Sequence, residues 1–192
     1  MKRRDGCKVV FVTGTDTGVG KTILTALMLA HLRAQGCDVL AVKPFSSGGR
    51  GDARLLNSLQ DSPMTLDDVN PFNFSMPLAP LAAARTEGRK LLKRDAVRYL
   101  RASAKKAEIL LVEGAGGLLT PLGENFTLLD LISDVNASVL VVVPNRLGVL
   151  NQAAMASQCL ESAGIKKKVV GLSSVSIRKC DRSVITNRLY LL

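Results

Sequence analysis

The sequence predicts an α/β protein: a doubly wound, mainly parallel sheet with helices on both faces. Three observations carry this. Short apolar runs alternate with helix-patterned segments along most of the 192 residues, the order that builds a parallel sheet. The first run, Val9 to Val12, leads into a glycine-rich turn (Gly14, Gly18, Gly20), then Lys21, Thr22 and a long helical pattern. Residues 137–143, ASVLVVV, are apolar but for Ser138, as in a strand covered on both faces.

In chain order, residues 8–13 form the first strand and residues 21–35 the first helix. Gly36 closes that helix, because glycine adopts the left-handed backbone that ends many helices. Residues 38–43 are a buried second strand ending at Lys43-Pro44, followed by a loop through Ser47, Gly48 and Gly49. Gly51-Asp52 opens a second helix with Asp52 in its first turn. Residues 69–80 carry three prolines and predict an irregular excursion. Residues 81–87 predict a short helix, residues 95–107 a basic amphipathic helix, and residues 108–112 a third strand reaching Glu113. Residues 137–143 are an interior fourth strand, residues 147–163 a helix and residues 168–173 a fifth strand. No repeat or linker breaks the pattern. The length suits one domain, residues 1–192, with a substantial core, and the segment after about residue 176 is atypical or shortened.

The stretch around Lys21 is a phosphate-binding loop, which makes the expected fold P-loop NTPase-like. Glycines let the backbone curl with its N–H groups inward, since a Cβ would block both the turn and the approach of phosphate. The helix that follows adds unpaired N–H groups and the positive end of its dipole. Lys21 would reach the β- and γ-phosphates, and the Thr22 hydroxyl would bind Mg²⁺. The strict pattern G-x-x-x-x-G-K-[ST] is missed by one place: Thr15 stands where glycine is expected, and Gly14 lies one residue earlier.

Composition removes several function classes. No apolar run nears the roughly 20 residues of a membrane span. The basic-then-apolar start resembles a short secretion signal, but its apolar part leads straight into the phosphate loop, so cleavage would destroy the site. Cys7, Cys37, Cys159 and Cys180 form no C-x-x-C pair, and the chain has one histidine, so a cysteine–histidine metal cage is not expected. A reducing cytoplasm is the expected compartment. The net charge of +10 gathers between residues 85 and 106 and from Lys166 onward. Aromatics are 4% and none alternate with the basic residues, so stacking on nucleic acid bases has little to work with. A solvated helix face is expected there, with neither nucleic acid nor membrane as partner.

Ligands of doubly wound sheets bind beyond the carboxyl ends of the strands. Thr22, Asp52 and Glu113 all fall there, and Mg²⁺ prefers such hard oxygen ligands, few from protein. Glu113 is the most telling, because a carboxylate closing an apolar strand is poorly explained by packing. Lys43, also at a strand end, can hold an anion and stabilise a moving phosphoryl group. Ser47 beside it can hydrogen-bond a substrate.

Together these stretches resemble the dethiobiotin synthetase family. The resemblance is carried by VTGTDTGVGKT (residues 12–22), Lys43-Pro44-x-x-Ser47-Gly48, Gly51-Asp52-Ala53, Val69-Asn70-Pro71-Phe72 with Pro80, VEGAGG (residues 112–117) with Thr120-Pro121-Leu122, and Leu147-Gly148-x-x-Asn151. It implies ATP- and Mg²⁺-dependent closure of a ureido ring from 7,8-diaminononanoate and CO₂, through a carbamate and its phosphorylated form. Carried over by position, Lys21 and Lys43 stabilise the carbamate and the transferring phosphoryl group. Thr22, Asp52 and Glu113 hold Mg²⁺. Gly18, Val19, Gly20, Lys21, Thr22 and Ile23 bind the nucleotide, with Asp52, Glu113, Gly114, Ala115 and Gly116. Thr17 and Ser47 contact the diamine or carbamate. The resemblance also implies a homodimer with the diamine at the subunit interface, where Leu147, Gly148 and Asn151 of the partner subunit bind the substrate's tail.

The sequence departs from the family at two places, the residues that read the base and a C-terminal segment that is shorter than the family's. Val175 and Ser176 stand where the family carries an Asn-Asp pair that reads adenine, so a looser base preference is expected. Two other classes fit less of the chain. A switch ATPase of the chromosome-partitioning or division-site kind carries a signature lysine five residues before the loop lysine, where Asp16 stands. A non-catalytic nucleotide-binding paralogue has only the short C-terminus in its favour.

Overall fold

The computed structural model describes residues 6–60, 64–174, 183–184 and 186–187. Val175 and Ser176 lie outside the described residues. The chain runs β1 (Lys8–Gly14), α1 (Lys21–Ala34), β2 (Val39–Val42), β3 (Phe45–Ser47), α2 (Gly51–Ser58), α3 (Leu66–Val69), β4 (Phe72–Phe74), α4 (Pro80–Thr86) and α5 (Lys93–Ala104). It continues through β5 (Ile109–Glu113), β6 (Pro121–Gly123), β7 (Phe126–Thr127), α6 (Leu128–Asp134), β8 (Ser138–Pro144), α7 (Val149–Ser162) and β9 (Lys168–Ser173).

Five strands form the main sheet in the order β2-β5-β1-β8-β9, every pair parallel. Their carboxyl ends therefore share one edge. Alternation along the strands splits the core between two faces. On one, Phe11, Leu110, Val112, Val139 and Val141 pack against Leu100 of α5, Leu131 and Ile132 of α6 and Leu160 of α7. On the other, Val39, Ala41 and Leu111 meet Ala26 and Leu29 of α1 and Leu56 of α2. Burying each of these leucines contributes about 1.5–3 kcal/mol before ordering costs. The expected interior position of residues 137–143 holds, since β8 lies between β1 and β9.

Helix α1 ends as the sequence requires. Gly36 takes φ 79°, its N–H donates to the Arg33 carbonyl at 2.8 Å, and the Cys37 N–H reaches the Leu32 carbonyl, which together satisfy the last turn.

The structure departs from the sequence reading in the segments expected to be irregular. The loop after Lys43 and the proline-rich excursion pair with each other as the parallel strands β3 and β4. Phe45 stacks on Phe72 with ring centroids 4.9 Å apart. Pro44 and Pro71 lack the N–H of a regular ladder, so the pairing is carried around them by Lys43 N–H to the Val69 carbonyl and Phe72 N–H to the Pro44 carbonyl, both 3.0 Å. Between residues 117 and 137, where the sequence reading assigns no element, the chain forms the hairpin β6–β7 and helix α6. Their signal is local: Thr127 and Asp130 form a reciprocal capping box, and the buried Leu128, Leu131 and Ile132 follow at helical spacing.

Candidate functional site

β1 delivers the chain to the turn at residues 14–20, at the mouth of the sheet. Gly14 cannot carry a side chain, because a Cβ there would lie 2.6 Å from Val19 Cγ2. Gly20 sits at φ 96° as the residue preceding α1, a backbone region that L-residues with a Cβ rarely adopt. Helix α1 has no side-chain cap and no acidic residue in its first turn, so its amino-terminal N–H groups are left for an anion. The Lys21 ammonium folds back to donate to the Asp16 carbonyl at 2.7 Å. Burial pushes its pKa below the usual lysine value, and the neighbouring Lys43 ammonium adds to this over the opposing pull of Glu113, Asp52 and Asp16.

Opposite Lys21, β2, β5 and α2 converge. Lys43 lies at the end of β2, Glu113 closes β5, and Asp52 sits in the first turn of α2. The Lys43 Nζ stands 2.6 Å from Glu113 Oε1 and 2.9 Å from Asp52 Oδ2. Burial opposes the charge on Lys43, but Glu113 and Asp52 outweigh it and hold the pKa above the usual value. The Thr22 hydroxyl donates to the same Glu113 Oε1 at 2.7 Å. Glu113 is 1% exposed, and its second oxygen, Oε2, is buried without a hydrogen-bond partner. A buried carboxylate oxygen is costly to leave unpaired, so Oε2 is a ready acceptor for a cation. Thr22, Asp52 and Glu113 offer only oxygens, the donor set that suits Mg²⁺.

These groups border a cleft of about 790 Å³. Thr17, Gly18, Gly20 and Ile23 line the loop side, and Ser47 and Asp52 the far side. Ala115 and Gly116 lie at its base, beside Glu113. The Ser47 hydroxyl is buried and has no hydrogen-bond partner, so it too is poised for a ligand.

Holding Lys43 in place is a set of contacts that sequence reasoning missed. Asn70, fully buried, donates from Nδ2 to the Lys43 carbonyl at 2.6 Å and accepts from the Ser46 hydroxyl at 2.8 Å. Arg50 donates to Asn70 Oδ1 at 3.0 Å and to the Leu66 and Asn70 carbonyls. The motif Val69-Asn70-Pro71-Phe72 was visible, but nothing local shows that its asparagine pins the strand end 27 residues earlier.

The AAA domain family matches residues 8–184. The ATP-dependent dethiobiotin synthetase BioD of Bacillus licheniformis is 38% identical over 176 residues, covering 89% of this chain and 75% of that protein. The protein of the same name from Anaeromyxobacter sp. is 43% identical over 160 residues, covering 81% and 72%. The chain belongs to the dethiobiotin synthetase family. Among solved structures, the kinase domain of Escherichia coli tyrosine kinase ETK superposes with a TM-score of 0.59 at 17% identity, over 94% of this chain and 72% of that one. At that identity the likeness is one of fold.

Against the expectations for a dethiobiotin synthetase family member, the remaining predicted residues fall in three places. Val19 does not present its side chain to the cleft: it is 4% exposed and packs against Val12 and Val142, leaving only its backbone for a nucleotide. Gly114 donates its N–H to the Val12 carbonyl at 2.9 Å, and a Cβ there would lie 2.6 Å from Leu128, so its first task is to seat the strand end. Leu147, Gly148 and Asn151 do not border the cleft of their own chain. Leu147 is 82% exposed, and Gly148, at φ 89°, precedes α7.

Proposed function

We propose that this chain closes the ureido ring of dethiobiotin from 7,8-diaminononanoate, CO₂ and ATP, as the names of its relatives indicate. One amine of the substrate takes up CO₂ and loses a proton to give a carbamate. A carbamate oxygen attacks the γ-phosphorus of ATP, and ADP leaves. The second amine attacks the carbamate carbon and expels inorganic phosphate, closing the ring. The observation that carries this reading is the meeting of two buried lysines, Lys21 and Lys43, with the oxygens of Thr22, Asp52 and Glu113 in one cleft.

Each step is mainly positioning and charge neutralisation, and the residues supply both. Lys21 and the amino end of α1 hold the triphosphate, with the backbone from Gly18 to Ile23. Lys43 faces the carbamate and the oxygens of the transferring group. Thr17 and Ser47 orient the diamine or its carbamate, and Ala115 and Gly116 flank the nucleotide. The free Glu113 Oε2 supports a divalent ion held with Asp52 and Thr22; Mg²⁺ there would neutralise the β- and γ-phosphate oxygens.

The chain acts as one domain and as a homodimer. The dimer is supported by the apolar exposure of Leu147, Leu150 and Met155 along the start of α7, where Leu147, Gly148 and Asn151 of the partner subunit would meet the substrate's tail. Free Cys7, Cys37 and Cys159 suit a reducing cytoplasm, and no described helix is long and apolar enough to cross a membrane. Asp16 at the signature-lysine position weighs against a switch ATPase.

Incubation with the diamine, bicarbonate and Mg-ATP, read by mass spectrometry, tests the proposal. Dethiobiotin should form in step with ADP. ATP hydrolysis indifferent to the diamine, or stimulated by DNA or lipid, would contradict it. Parallel reactions with CTP and GTP test base preference: the Val175-Ser176 replacement predicts that they substitute for ATP better than in a typical family member, and strict ATP selectivity would overturn that.

A further inference from the structure

We infer that Lys43 is a placeholder cation in the metal site, and that seating a divalent ion releases its ammonium into the cleft. The inference rests on the proposed assignment of Thr22, Asp52 and Glu113 to Mg²⁺. Lys43 Nζ bridges two of those three groups, at 2.6 Å from Glu113 and 2.9 Å from Asp52. Thr22, the third, donates to the same Glu113 oxygen. Two of the three proposed metal ligands thus pair with one ammonium, and the third bonds to one of those two.

A carboxylate as buried as Glu113 needs a counter-cation, and losing it is strongly destabilising. Lys43 supplies one when no metal is present and so keeps the site assembled. The root of the side chain is fixed independently, by the Lys43 N–H on the Val69 carbonyl and by Asn70 on the Lys43 carbonyl. Only the flexible stem has to move. A divalent ion on Glu113 Oε2 and Asp52 would stand beside the ammonium as a like charge in a low-dielectric site, and the two would repel strongly. The open direction for Nζ is the cleft, toward the anions that Lys21 also faces. Metal loading and delivery of the second lysine are then one event, and metal-free ATP meets Lys21 alone.

Two measurements test this without relying on turnover. Mn²⁺ binding to the nucleotide-free protein, followed by electron paramagnetic resonance, should tighten roughly tenfold or more in Lys43→Met, because a competing cation is gone. Equal affinity in the variant and wild type would overturn the inference. Glu113→Gln should bind Mn²⁺ far more weakly; unchanged binding there would remove the metal site itself, a failure of the underlying assignment and not of the displacement alone. If Lys43→Met does not fold, wild-type protein decides. With ¹⁵Nζ-labelled lysine, the Lys43 ammonium signal, assigned with Lys43→Arg, should shift or vanish as Mg²⁺ saturates the site. A signal unmoved at saturation would contradict the inference.

Discussion

Along α5 the side chains of Arg94 and Arg98 are 81% and 77% exposed, whereas at the carboxyl ends of the sheet Lys43 is 8% exposed and Glu113 wholly buried. Both regions are charged, and both contain ion pairs. On α5, Arg94 and Arg98 lean on the neighbouring Asp95, and Lys93 pairs with Asp134 at 3.1 Å; such exposed pairs contribute little to stability. In the cleft, removing one partner strands a charge out of water, which is strongly destabilising. The net charge of +10 describes the surface, while the proposed chemistry rests on two lysines and two carboxylates whose charges cancel in that total.

The sharpest way to break this comparison is at Lys21. Lys21→Ala should lower kcat by roughly a hundred- to thousandfold or more, since it removes a charge aimed at the transferring phosphoryl group. Turnover within a few-fold of wild type would put the phosphate loop on the wrong residue. Next, Glu113→Gln should raise the Mg²⁺ concentration for half-maximal rate roughly tenfold or more, and an unchanged Mg²⁺ titration would take Glu113 out of the metal site.

A third experiment sharpens the contrast through pH. The pKa of Lys43 in the folded protein is held above the ordinary 10.5, so its ion pairs stabilise the fold fully below that pH. The contribution is lost as pH rises through the higher folded value. Urea unfolding between pH 8 and pH 11.5 should therefore show a steeper alkaline loss in wild type than in Lys43→Met. Parallel curves would mean that the pair contributes nothing to the fold. The smallest effect belongs to the surface: Arg94→Ala with Arg98→Ala should leave kcat within about twofold and the unfolding midpoint nearly unmoved. A large loss of either would show that α5 has a task of its own.

Legibility in the sequence follows the range of the interactions. The phosphate loop could be read because its glycines, lysine and threonine are neighbours in the chain and obey one local geometry. Glu113 could be read because a carboxylate closing an apolar strand contradicts burial unless something charged meets it. Asn70 and Arg50 could not be read as supports of Lys43, because their contacts span 16 to 27 residues and leave no periodic trace. β3 and β4 were hidden by Pro44 and Pro71, which break the strand pattern while the pairing continues around them. Helix α6 has a local signal, the capping box of Thr127 and Asp130 with Leu128, Leu131 and Ile132 at helical spacing, but at seven residues it is short. Val19 shows the limit of a motif: its place in the loop was clear, but only the fold turns its side chain into the core.

A crystal structure with Mg²⁺, a non-hydrolysable ATP analogue and the diamine tests the central claim most directly. The predicted result is Lys21 Nζ on the triphosphate, Lys43 Nζ swung from Glu113 toward the γ-phosphate, and the metal on Thr22, Asp52 and Glu113. Lys43 or Glu113 turned away from the triphosphate would contradict it.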